Sequence, residues 1–157
     1  MRFLSIPADG ALPDDADPPL RRFLAYWRSK CREGQLPRRR DIDPLEIVPL
    51  LSSVFLLDVD AEDFRFSLIG QELAERYALA KGKTVREVMS GPELETTLAE
   101  HRLCVSERRP VFTRNTPSST SLGDRKLFQG LLVPLAEGEE VTSLAGIMTF
   151  QAAIGGT

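Results

Sequence analysis

The chain has 157 residues, 42% hydrophobic and 27% charged, with a formal net charge of −3 at neutral pH. A chain of this size buries about two-thirds of the surface its unfolded form exposes, so one domain can hold a core without a disulfide or metal. The ordinary apolar fraction excludes a disordered chain, and no apolar run approaches the ~18 residues of a membrane span.

The opening residues lack the long apolar stretch and small-residue cleavage site of a signal peptide. Cys31 and Cys104 show neither a close pair nor metal-ligand spacing and read as reduced thiols of a cytoplasmic protein. Charge is unevenly placed: residues 20–40 carry eight basic side chains against Glu33 alone, while the chain after them is acidic. No aromatic residues interleave with Arg38-Arg39-Arg40, so these arginines read as a solvated face and linker, with no nucleic-acid partner expected.

Residues 1–17, with Pro7, Gly10, Pro13 and four Asp, show no period and read as a flexible N-terminal segment. Asp17 before Pro18-Pro19 marks a helix start, with the carboxylate expected to accept from free N–H groups. Leu20, Phe23, Leu24, Trp27 and Cys31 recur at helical spacing until Gly34 closes the segment. Asp43, Pro44 and Glu46 form a capping-box pattern opening a short helix that Pro49 should shorten or bend.

Val54–Val59 and Phe64–Ile69, joined by a short polar loop, predict a hairpin. Short helices over Gln71–Leu79 and around Val85–Met89 follow, then a longer one from Glu93 to Arg108 that Pro110 ends. Val111–Thr116, Leu127–Leu135 and Leu144–Gln151 predict three more strands, the last two joined by Glu137-Gly138-Glu139-Glu140. Five strands split two and three around a helical block exclude a βαβ array. The economical solution is α+β: a five-stranded antiparallel sheet with helices over one face and an N-terminal amphipathic helix. The domain is expected over residues 18–152, with 153–157 as a tail.

This order resembles the PAS sensory fold, and the motifs are similar to those of small bacterial PAS proteins built of little else. The matching residues are Trp27-Arg28, Leu36-Pro37 with Arg39, Asp41-Ile42-Asp43-Pro44, Leu50-Leu51 and Phe55-Leu56-Leu57-Asp58-Val59. Phe64-Arg65-Phe66-Ser67-Leu68-Ile69-Gly70 and Leu131-Leu132-Val133-Pro134-Leu135 extend the match. The resemblance implies sensing or signalling, with no common ligand and no catalytic residue to carry over.

Haem-binding PAS proteins take an axial His from a corresponding helix but place it several residues further from the next strand. A shift of six residues turns a helical side chain by about 240°. His101 therefore reads as a surface or packed histidine. Flavin photoreceptor domains need an Asn-Cys-Arg-Phe type block, whereas Cys104 sits in Leu-Cys-Val-Ser. No cofactor, haem, flavin or metal is expected. Nor is a catalytic residue: Asp58 and Asp60 have no convergent second group, and nucleophile-elbow and zinc-protease motifs are missing.

The feature left is a pocket between sheet and helices, for which Phe66, Leu68, Tyr77, Met89, Arg114, Phe128, Leu132 and Met148 are the candidates. The expected function is a cytoplasmic PAS-like sensory module that binds a signalling protein, with a small ligand in the pocket. A ligand-free interaction scaffold with a packed core is the alternative, and a cryptic enzyme ranks below both. The stripe of Leu20, Phe23, Leu24 and Trp27 is too apolar for water. It is expected to join two copies in a homodimer, against the competing reading that the helix folds back over its own sheet.

Overall fold

The computed structural model describes residues 3–7, 9–77, 81–119 and 125–152. Its strands are β1 (Phe3–Ser5), β2 (Val54–Asp60), β3 (Asp63–Ile69), β4 (Val111–Ser119), β5 (Arg125–Glu137) and β6 (Glu140–Ala152). Its helices are α1 (Pro18–Lys30), α2 (Gln71–Tyr77), α3 (Val85–Val88) and α4 (Gly91–Glu107), with 3₁₀ segments at Arg39–Asp41 and Pro44–Ser53. One antiparallel sheet has the order β1-β4-β5-β6-β2-β3. β5 and β6 pair along their length from Lys126 opposite Ala152 to Glu137 opposite Glu140. Gly138 turns between them at φ +63°, a left-handed conformation that glycine adopts without steric cost.

All five predicted strands are present, and β1 is a sixth. It arises in the segment read as flexible, because three residues are too few to show a period. β1 lies against the edge of β4, with Leu4 opposite Phe112, and the Ile6 N–H donates to the Pro110 carbonyl at 2.8 Å. Ile6, Leu12 and Ala16 are buried in the core, so the described residues of 3–7 and 9–17 form a strap over the sheet.

Helices cover both faces of the sheet instead of one. α2, α3 and α4 cover the first face, over Leu57, Phe64, Phe66, Leu132 and Leu144. α1 and the 3₁₀ segment Pro44–Ser53 cover the second, over Leu56, Phe112, Leu131, Val133 and Ile147. This corrects the intersubunit role expected for the α1 stripe. Leu20, Phe23, Leu24 and Trp27 are buried against the chain's own sheet, Trp27 to 3% exposure, and its indole N–H donates to the Pro134 carbonyl at 3.0 Å. The helix folds back because the second sheet face is itself apolar, and α1 completes the cover that the strap and the 3₁₀ segment begin.

The caps also differ from the simple patterns. Pro18 and Pro19 remove two of the N–H groups a cap would satisfy, and the Asp17 carboxylate instead accepts from the Thr149 hydroxyl at 2.5 Å. Gln129, buried on β5, accepts from the Asp17 N–H at 2.8 Å and donates to the Asp15 carbonyl at 2.9 Å, clasping the strap. The Asp43 carboxylate caps the 3₁₀ segment by accepting from the Leu45 N–H at 3.0 Å. The reciprocal arm of the box passes through α1: the Tyr26 hydroxyl accepts from the Asp43 N–H at 2.9 Å and donates to Glu46 at 2.8 Å. Among the described residues no helix is long and apolar enough to cross a membrane.

Asp43→Ala is expected to cost about 1 kcal/mol in thermal or denaturant unfolding, and an unchanged midpoint would refute the cap. Trp27→Glu places a charge in the closed core and is expected to abolish the cooperative thermal unfolding transition followed by far-ultraviolet circular dichroism. A folded Trp27→Glu protein would show instead that the stripe is dispensable to the monomer.

Candidate functional site

Two bulges decide which predicted pocket residues meet. Leu56 lies opposite Leu68 and Leu57 opposite Phe66, so β3 carries one extra residue, Ser67. An extra residue reverses the alternation of side chains beyond it. Phe66 therefore packs beneath α2–α4, whereas Leu68 packs with the α1 layer. In β4 the register shifts between Thr113 and Thr116. Arg114 stands on the strap side, its guanidinium 3.5 Å from the Asp15 carboxylate and 5.4 Å from the centre of the Phe112 ring. Leu68 and Arg114 thus leave the predicted pocket, and both are corrections.

Phe66, Met89, Leu132 and Met148 do share the layer beneath α2–α4. Phe128 joins them by register: it lies two residues from Gly130, which faces Met148 across the β5–β6 ladder. Its ring edge is 3.6 Å from where a Cβ on Gly130 would stand. Tyr77 ends α2, and its side chain lies outside the described residues.

This layer is closed at one end and open at the other. Leu57, Leu73, Val85, Leu98 and Leu144 are fully buried, whereas Met89, Leu94, Phe128, Met148 and Phe150 are only half-buried. The Arg76 guanidinium sits 4.6 Å from the centre of the Phe150 ring and 3.4 Å from the Glu72 carboxylate, adding a cation beside this apolar rim. Arg76 and Phe150 were not legible as partners, because 73 intervening residues separate them and neither belongs to a motif.

At the closed end lies His101 on α4, packed edge-on against Phe64 with ring centres 4.9 Å apart. Its Nδ1 is buried without a hydrogen-bond partner. Burial, opposed weakly by the Asp63 charge, pulls its pKa from 6.5 down to about 3, so the ring is neutral. One turn on, Cys104 is fully buried and the same desolvation pushes its thiol pKa up, away from thiolate chemistry. Cys31 is half-buried and its thiol points to the Trp27 carbonyl at 3.5 Å. Among the described residues no three His, Cys, Asp or Glu side chains gather to hold a metal.

An antiparallel sheet whose one face carries short helices over a partly open apolar layer defines the class: an α+β domain. The model of the PAS domain family matches residues 16–149, and the chain belongs to that family. Among solved structures it is similar to the LOV protein of Rhodobacter sphaeroides, with a TM-score of 0.52 and 13% identity over 67% of this chain and 62% of that one. It is also similar to a fungal LOV domain photoreceptor, with a TM-score of 0.50 and 14% identity over 72% of this chain and 94% of that one. At such identities the likeness shows the fold. No curated protein matches the chain.

The buried imidazole generates a pH prediction. Between its ordinary pKa of 6.5 and about 3, the unfolded chain binds a proton at His101 that the folded chain does not. Stability is therefore retained above that window and lost as pH falls through it. His101→Leu, which also removes the unpartnered Nδ1, is expected to flatten this part of the Tm-against-pH profile without lowering Tm at neutral pH. An unchanged slope would assign the acid sensitivity to other groups.

Proposed function

We propose that the chain is a cytoplasmic sensory module that takes a small, largely apolar ligand beneath α2–α4 and passes the signal to a protein partner. The asymmetry between the sheet's two faces carries this reading. The α1 face is closed, whereas the opposite face leaves Met89, Met148, Phe128 and Phe150 half-buried beside the Arg76 guanidinium. Apolar walls with a few polar groups are what a small-molecule site requires, and methionine adapts its shape to irregular occupants. The role is binding and not catalysis. Self-association belongs to the same proposal but excludes the α1 stripe, which serves the chain's own core.

A ligand-free interaction scaffold is the second reading, supported by the fully buried half of the layer around Leu57, Leu98 and Leu144. Native mass spectrometry of freshly purified protein separates the two. The expected result is a mass excess of one small molecule that denaturation removes and that Met148→Trp, filling the open end, diminishes. The bare mass, with no uptake of an environment-sensitive dye such as anilinonaphthalene sulfonate, would favour the scaffold.

A further inference from the structure

Leu45 and Val48 are 82% and 57% exposed, an unusual state for large aliphatic side chains. Both lie on the 3₁₀ segment Pro44–Ser53, one on each side of a kink at Ile47, and form an exposed apolar ridge. Ile47 and Leu50 turn inward from the same segment, while Glu46 and the cap residue Asp43 line an open cleft of about 410 Å³ shared with Lys30, Arg32, Arg40 and Asp41.

The carboxylates of this cleft are already engaged. Glu46 accepts from Tyr26 at 2.8 Å and pairs with Lys30 at 3.0 Å. Asp41 accepts from the Arg38 N–H at 2.8 Å with the Arg38 guanidinium 3.8 Å away, and Asp43 caps Leu45. Arg32 and Arg40 are exposed and form no ion pair among the described residues. The cleft thus offers two exposed guanidiniums, whose charges also act on Asp41, and the apolar ridge lies on the segment whose Glu46 lines it.

From this juxtaposition we infer that the ridge and cleft dock an acidic amphipathic segment of a partner protein, its apolar side chains on Leu45 and Val48 and its carboxylates on Arg32 and Arg40. A second copy of the chain fits less well, because an isologous contact would set these arginines against their own equivalents. A nucleic acid would find no aromatic side chain among the residues that line the cleft. The inference rests on the partner-binding reading and names its surface.

The test is fluorescence anisotropy on the full chain with three labelled synthetic peptides of one leucine pattern, bearing glutamate, glutamine or lysine between the leucines. Only the glutamate peptide is expected to bind, more weakly as salt rises. Arg40→Glu and Leu45→Asp, both exposed and so foldable, are each expected to weaken it at least about tenfold. Equal binding of the glutamine or lysine peptide, unmoved by either substitution, would remove this surface while keeping a partner-binding role. Binding of none of the three would remove both. Sedimentation showing a dimer that Leu45→Asp dissolves would assign the ridge to a second copy and overturn the inference.

Discussion

Both faces of the central β5–β6 pair are apolar, and this two-sidedness dictates where every helix must go. Leu131, Val133 and Leu135 alternate with Leu132, and all four are buried. An uncovered apolar face costs about 25 cal/mol for each Å² left in water, so each face needs its own layer. α1 is the layer for one side and α2–α4 for the other. The strand edge is closed by the same elements. β4 pairs with β5 only as far as Val111 opposite Leu132. Beyond that point, the Pro134 carbonyl accepts from Trp27 and the Ala136 N–H donates to the Pro37 carbonyl at 2.9 Å. Pro134 sits where its missing N–H leaves no ladder bond unmade on the β4 side.

Much of this was legible from local chemistry. The Pro18-Pro19 start, the Pro44 start and the Gly138 turn mark element ends by steric rules that act within a few residues. The apolar stripe of α1 was equally plain, but periodicity reports which face is buried and never against what. Two partners satisfy the same stripe, and only the apolar second face of the sheet decides between them. The bulges were illegible for a related reason. An extra residue such as Ser67 changes no composition, yet it sends Leu68 to the opposite layer from Phe66. Strict alternation puts Leu68 on the face of Phe66, and a one-residue insertion breaks that alternation.

The cover of the candidate site is uneven in length: α2 has seven residues and α3 four, against seventeen in α4. Helices this short draw their stability from packing and not from their own backbone. Leu73 on α2 and Val85 on α3 are fully buried, whereas Leu94 on α4 is half-buried, so closed and open positions occur under both kinds of helix. A site that must admit and release an occupant gains from short, packing-dependent helices in its cover, because local opening is least costly where buried contacts are fewest. The α1 side contributes the opposite property: Trp27 and the strap contacts fix it to the sheet with directional bonds, and Tyr26 ties it to the 3₁₀ segment.

The strap bears on what counts as the cooperative unit. Family likeness begins at residue 16, yet Ile6 and Leu12 are core residues and β1 occupies the edge of β4. Gln129 and Thr149 on the central strands hold the backbone and carboxylate of the strap's last residues. A protein trimmed to the homologous region would expose a bare strand edge, a template for pairing with another molecule. Gln129 would also lose its acceptor, the Asp15 carbonyl. Evolutionary kinship and thermodynamic autonomy thus have different borders here, and the second is the wider of the two.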